Sequence, residues 1–519
     1  MAQNLATIGV TALRATVATN VDGTGIRVAQ TEAEAPYFEV NPAAVNQPVS
    51  LFAYYSAAGT ATTFTNTAGL ESTHADQVGG FFYGIYPGVA TNVAHVDNFD
   101  ADFFVTNYLE TATPLPVAGD LVMNQSFTFG PLSVSDQQEV DSLYDNYAVQ
   151  NNMLFVSAAD NYSTSGGAFS TNVCAPGTDY NCISVGAYDN GTWNNSLGPT
   201  SDNGRCKPDI TAIAGETSFS TPQVAGAAAA LMQAALRGDG GSNTNSAFQM
   251  ETIKALLLNG AVKPVGWTNS NASPLDARYG AGMLNIYNSY AQLAGGKHAY
   301  ITSTSVSTGG AHPPAGATGS IGSLNGWDFN TNTSSAFDDT INHYYFNVTN
   351  GVSNTKFTAT ATLVWNRHYN ANYTISPENI NNLNLFLYNC ANSNLVNCST
   401  SMVDNVEHIY LTNLPAGRYD LQVWKVAGIP PAIVSSAEPY ALAWSFTPPP
   451  ALALTGGTNL ALAWPVYPNG YTVTATTNLA SSAWDTANLP SATITNQENY
   501  LPLQTTNPAR FFRLVSPDF

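Results

Sequence analysis

An α/β domain built on a mostly parallel sheet, followed by an antiparallel β-sandwich and a small C-terminal β module, is the architecture the sequence predicts. Three observations predict it. Up to about residue 296, short β-branched runs alternate with helical patterns. Beyond residue 297 the helical patterns vanish, and short strands separated by Gly, Asn, Asp and Pro take over. A Pro-rich break, "TPPPALALTGG", then sets off the last β-rich stretch. The expected units are residues 1–296, 297–447 and 451–519, since a chain of 519 residues exceeds what one hydrophobic core serves.

In the first unit the alternation runs through "GIRVAQTE", "THADQVGGFFYGIY", "DLVMNQSF", "DQQEVDSLYDNYAVQNN", "MLFVSAADN" and "NCISVGAYD". This order suits parallel strands covered on both faces by helices. "STPQVAGAAAALMQAALRG" and "SAFQMETIKALLLNGAV" are apolar at helical spacing. In the second unit "HYYFNVTN", "FTATATLVW", "LNLFLYN", "HIYLTNL", "RYDLQVWKV" and "YALAWSFT" read as strands. In the third, "LALAWPV", "GYTVTATTN" and "ARFFRLV" do.

Composition narrows the function classes. With 15 Lys plus Arg against 35 Asp plus Glu, the net charge of −20 opposes binding to nucleic acid or an anionic membrane. No apolar run is long enough to span a bilayer. Charged residues make up only 10% of the chain, against roughly 25% in an average soluble protein. The surface is therefore expected to be neutral-polar and extracellular, although "MAQNLATIGVTALRATVATN" has neither the basic nor the apolar segment of a signal peptide. Cys174 with Cys182 and Cys390 with Cys398 are each spaced for a local disulfide, leaving Cys206 over.

The chemistry centres on "GETSFSTPQVAG". A lone Ser before an apolar helical run is most often a helix cap. Here, however, Thr217, Ser218, Thr221, Pro222, Val224, Ala225 and Gly226 resemble the nucleophile segment of the subtilisin-like serine proteases, the subtilases. The resemblance implies a nucleophilic Ser218 at a helix N-terminus, where unpaired N–H groups and the helix dipole favour an oxyanion. Small residues at Ala225, Gly226, Ala228 and Ala229 would let that helix pack in the domain centre.

The same resemblance supplies partners. "STHADQVGG" matches the histidine segment at His74, Val78 and Gly80, while His95 in "VAHVDN" falls in the following strand. "GTGIRVAQTEAEAP" puts Glu32 where the family has the Asp that orients the imidazole, with Glu34 as the alternative and Asp22 behind it. Asn161 in "MLFVSAADNYS" stands at the oxyanion-stabilising Asn, with Asp160 at the usual Gly. Ser126 in "VMNQSFTFG" begins the wall of the primary specificity pocket, beside a strand that would pair with an extended peptide. "NCISVGAYD" and "GRCKPDITA" resemble the family's sheet segments, and the order acid, His, Asn, Ser is the family's own.

The implied function is a secreted endopeptidase acting on polypeptides through Ser218, His74, Glu32 and Asn161, with no cofactor in the chemistry. Structural calcium is common in the family and would suit the acidic surface, though no loop has EF-hand ligand spacing. The segments after residue 297 resemble the jelly-roll and small sandwich modules of secreted bacterial proteases, with surface or polysaccharide contact as one role. Glu32, Asp160 and Glu216, the last at a usual Gly, motivate a second expectation, an inactive subtilase scaffold retained for binding. An acid-active sedolisin-type centre is suggested by Glu32 and opposed by His74.

Overall fold

The computed structural model describes residues 2–111, 119–161, 172–189, 191–306, 313, 317–333, 339–368, 380–426, 437–456, 460–480, 483–486, 489–503 and 510–516. Its first layer is a 9-stranded sheet. In spatial order the strands are Thr192–Trp193, Ile183–Asp189, Leu154–Ala158, Val122–Gln125, Arg27–Glu32, His95–Asp100, Phe52–Ser56 and Gly59–Ala61. Ile210–Ile213 also pairs with Ile183–Asp189. The interior pairs are parallel and only the two edge pairs antiparallel. The near-continuous burial of Leu154–Ala158 is what a strand covered on both faces requires.

The helix Thr217–Arg237 runs through the centre of this domain, with Val224 through Ala235 all buried. Its small residues are a packing necessity. A Cβ at Gly226 would sit 2.7 Å from Val89 Cβ and 3.1 Å from Phe82 O. The helix ends at Gly238, whose φ of 90° places it in the left-handed region and lets its N–H reach Ala234 O and Ala235 O.

Beyond it, two antiparallel sheets face each other. One is ordered Thr302–Val306, Asp339–Val348, Gly417–Lys425, Leu383–Asn389, Leu395–Ser399, and the other Asn325–Thr333, Ala437–Thr447, Lys356–Val364, Val406–Pro415. Strand Lys356–Val364 shows how the period of two builds the join. Phe357, Ala359, Ala361 and Leu363 enter the sandwich core, whereas Thr362 on the opposite face donates to Asn259 Oδ1 at 2.9 Å. Asn259 belongs to the helix Met250–Gly260, which is buried along its whole length. Its polar side chains are accordingly partnered. Lys254 Nζ donates to Cys182 O at 2.6 Å, and Asn366 Nδ2 donates to Glu251 Oε1 at 2.7 Å. Tyr180 is clasped between the guanidinium groups of Arg205 and Arg367, at 3.8 and 4.3 Å, and Arg367 pairs with Asp145 at 2.7 Å. A last pair of small sheets encloses Leu462, Trp464, Val473 and Leu501.

The expected disulfides are not formed, and all five cysteines stand as thiols. Cys398 is in register with Phe386, four residues before Cys390. At the usual rise that is about 13 Å along the strand, beyond the roughly 4–7 Å between the Cα atoms of a bridged pair. Cys174 Sγ and Cys182 Sγ instead donate to backbone carbonyls, those of Asn172 at 3.6 Å and Asp179 at 3.4 Å. Equal spacing in sequence did not translate into facing side chains. Among the described residues no helix is long and apolar enough to cross a membrane.

Candidate active site

The carboxyl ends of three adjacent parallel strands converge on one edge of the sheet, the edge at which α/β folds carry their sites. Arg27–Glu32 ends in Glu32, Ser126 follows Val122–Gln125, and Asn161 lies just beyond Leu154–Ala158. Two helix N-termini face them. His74 is the second residue of Thr73–Phe82, a helix capped by Ser72 Oγ accepting from Ala75 N at 3.2 Å. Ser218 is the second residue of Thr217–Arg237, whose N-cap is Glu216. Ser218 is therefore inside the helix and does not cap it.

Glu32 Oε2 lies 2.8 Å from His74 Nδ1, with Glu32 buried and the His74 side chain 38% exposed. The contact assigns the tautomer, with Nδ1–H donating to the carboxylate and Nε2 left as the acceptor. The Glu32 hydrogen bond holds the imidazole's pKa above its ordinary value. Burial opposes it, and the charges of Glu32, Glu34 and Glu216 add to it. Glu32's other oxygen accepts from Gln30 Nε2 at 2.8 Å, and Gln30 Oε1 accepts from Tyr83 OH at 2.6 Å. On the same helix, burial and the neighbouring Glu71 push Asp76 up to about 6, against the N–H of Asn41.

Ser218 and Ser126 are locked reciprocally. Ser218 Oγ donates to Ser126 O at 3.3 Å, and Ser126 Oγ donates to Ser218 O at 2.9 Å. The second bond follows from the sequence. Pro222, four residues after Ser218, has no N–H to give the Ser218 carbonyl, which is left to accept a side chain. Asn161 Oδ1 accepts from Thr217 N at 2.8 Å and from Thr217 Oγ1 at 3.0 Å. Since a backbone N–H requires an acceptor, the amide orientation is fixed and Nδ2 remains as a donor. Glu216 makes no side-chain cap, and among the described residues no acceptor takes the Ser218 N–H.

Each sequence-derived position has a definite place. Glu32 and His74 touch. Ser218 is joined to Ser126, and Asn161 to Thr217. Phe219 bridges the two groups, its ring 5.8 Å from the His74 ring. The Ser218–His74 hydrogen bond is not among the contacts formed, because the Ser218 hydroxyl is turned to Ser126 O. His95 lies at the opposite end of the sheet, in register with Arg27 and bonded to Asp97 at 2.9 Å. Glu34 is exposed beyond the end of the strand, so it does not share Glu32's face. Asp22 is buried and occupied with Thr24 and Asn92.

The two substitutions at glycine positions have local explanations. Asp160 keeps a left-handed backbone, φ 80°, and its Oδ1 accepts from Asn161 N at 2.7 Å. Asp tolerates that region better than most side chains. Glu216 is extended, φ −145°, and exposed, so its side chain meets no backbone exclusion. The strand Val122–Gln125 is paired on both sides. Along this strand, backbone free of sheet pairing therefore begins at Ser126. Among the described residues no three His, Cys, Asp or Glu side chains converge to hold a metal.

Gln30 and Tyr83 were missed by the sequence reading. The available signal was a Gln inside a strand-like run, after the apolar Val28 and Ala29 and two residues before Glu32 on the same face, since a buried amide demands partners.

The Subtilase family model matches residues 58–282, a stretch that includes His74, Ser126, Asn161 and Ser218, with Glu32 ahead of it. No curated protein matches the chain in sequence. Among solved structures, the serine protease of Aeromonas sobria is similar at 13% identity and a TM-score of 0.38, over 87% of this chain and 85% of that one, too distant to bear on function. The parallel sheet is in keeping with the family match, and across residues 58–282 the chain is similar to the subtilase family.

Proposed function

We propose that the protein is a secreted serine endopeptidase. Ser218 Oγ attacks the scissile carbonyl while His74 Nε2 takes its proton, and Glu32 accepts from Nδ1–H and stabilises the imidazolium. Asn161 Nδ2 and the Ser218 N–H donate to the oxyanion. His74 then protonates the departing amine, and water, activated by the same imidazole, releases the acyl group from Ser218. Before attack the Ser218 side chain must rotate away from Ser126 O toward His74, a rearrangement in keeping with the looser geometry of unliganded sites.

The observation that carries this reading is the 2.8 Å contact between Glu32 and His74 beside a helix N-terminus that bears an uncapped Ser. His95 and His368 also meet buried carboxylates, Asp97 at 2.9 Å and Glu438 at 2.8 Å; what sets His74 apart is that its carboxylate pair stands beside the helix N-terminus that carries Ser218. The chemistry uses no cofactor, and calcium, where bound, would be structural. Residues 1–296 carry the reaction, while 297–447 and 451–519 serve stability or contact with a surface or polysaccharide. The sparse charge and neutral-polar composition support an extracellular setting. Casein hydrolysis by the purified protein, lost in Ser218→Ala, is the expected result. Equal hydrolysis by both proteins would reject the assignment, and absence of hydrolysis in the parent would favour an inactive scaffold.

A further inference from the structure

Gln30 is fully buried, two residues before Glu32 on the same face of the strand Arg27–Glu32. Its Nε2 donates to Glu32 Oε1 at 2.8 Å and to Ala75 O at 3.0 Å, and its Oε1 accepts from Tyr83 OH at 2.6 Å. Ala75 directly follows His74, and Tyr83 closes the same helix. A single carboxamide thus grips the carboxylate and both ends of the helix that carries the imidazole.

The geometry bears on a specific problem. Glu has one more rotatable bond than Asp, and a carboxylate held only through Oε2 would still turn about its last torsion. A second hydrogen bond, on Oε1, removes that freedom. The amide that supplies it could itself rotate or flip, and the Tyr83 hydroxyl on Oε1 of Gln30 sets its orientation. Space for this hydroxyl depends on a glycine, because a Cβ at Gly79 would meet Tyr83 OH at 2.8 Å. All three side chains are buried, so water does not substitute for any of these bonds.

We propose that Gln30, oriented by Tyr83, is a positioning residue that fixes the Glu32 carboxylate against His74. The proposal rests on the protease reading of this site and adds two residues to it. Gln30 does not touch substrate. It acts through Glu32, and Tyr83 acts through Gln30.

The test uses Gln30→Met, which keeps side-chain length without the amide, Tyr83→Phe, and the double variant. For each, the His74 imidazole is titrated by NMR, kcat and KM are measured across pH, and the melting temperature is recorded. Gln30→Met is expected to lower kcat about ten- to a hundred-fold with KM within about two-fold, the pattern of a lost transition-state interaction. The His74 pKa should fall toward its ordinary value, with the acid limb of the activity profile following it. Tyr83→Phe should move both quantities in the same direction by about two- to five-fold in kcat, and the double variant should match Gln30→Met, since residues acting in one chain are not additive. An unchanged His74 pKa and kcat in Gln30→Met would overturn the proposal. So would multiplicative effects in the double variant, or a loss of melting temperature with the pKa unmoved. Should Gln30→Met not fold, Tyr83→Phe decides by the same two readouts. The NMR titration is independent of turnover, so an inactive parent would reject the protease reading while still testing the link from Gln30 to His74.

Discussion

Glu32→Gln keeps the size of the side chain and removes its charge. In the parent, the carboxylate accepts from His74 Nδ1 at 2.8 Å with Glu32 4% exposed and the imidazole 38% exposed. A hydrogen bond to a charged group is worth about 1.5–3 kcal/mol, and the exposure of the imidazole favours the lower end. At about 1.4 kcal/mol per unit, the His74 pKa should drop by about one unit from its raised value. A larger consequence concerns the tautomer. A Gln amide can donate to Nδ1, which would put the proton on Nε2 and leave no base for Ser218. The analogous change in other triads lowers kcat by about 10⁴-fold. The sign of the pH effect is fixed. In the parent, activity requires neutral His74 and rises with pH through a pKa above 6.5, whereas the residual activity of Glu32→Gln should rise at lower pH. The assay is kcat against pH on a soluble peptide substrate, with the melting temperature as a control for folding. Turnover within about ten-fold of the parent, with the acid limb unmoved, would refute the role given to Glu32.

Other positions make separate claims. Asn161→Ala should lower kcat about a hundred- to a thousand-fold with little change in KM, the loss expected for one oxyanion donor and measured by steady-state kinetics. Gly226→Ala should destabilise the protein by about 1–3 kcal/mol in denaturant unfolding, because its Cβ would stand 2.7 Å from Val89 Cβ. Glu251 is pushed up to about 7 by burial, so the folded state holds its proton more tightly than the unfolded chain does. Its contribution to stability is present below pH 4.5 and is lost as pH rises through 7. Glu251→Gln should flatten that part of the melting-temperature profile and raise stability at pH 8 relative to the parent.

Local pattern made the elements with strong periodicity legible. The apolar repeat of Thr217–Arg237, the continuous burial of Leu154–Ala158 and the alternation in Lys356–Val364 each reflect one element facing one environment. Strands Thr302–Val306 and Asn325–Thr333 were not read, since "TSTSV" and "NGWDFNTNT" are dominated by Ser, Thr and Asn, which turns share. The disulfide expectation failed for a related reason. Spacing reports separation along the chain, while bridging depends on register, and the register sets Cys398 opposite Phe386.

For the site, segment resemblance located Glu32, His74, Asn161 and Ser218 one at a time. What it could not contain is how they are held. The Gln30 amide reaches from a strand to both ends of a helix some 50 residues away in sequence, and the Ser126–Ser218 pair spans 92 positions. Such contacts follow from the sheet order and helix packing. Pro222 is the exception, because a missing N–H four residues after Ser218 already implies that the Ser218 carbonyl must find another donor.

The central claim is that Ser218 is a nucleophile activated by His74. Intact-mass spectrometry after treatment with a fluorophosphonate tests it most directly. The account predicts one covalent adduct on the parent protein, mapped to Ser218, with none on Ser218→Ala and strongly slowed labelling on His74→Ala. An adduct on Ser218→Ala as abundant as on the parent, or none on the folded parent, would contradict it.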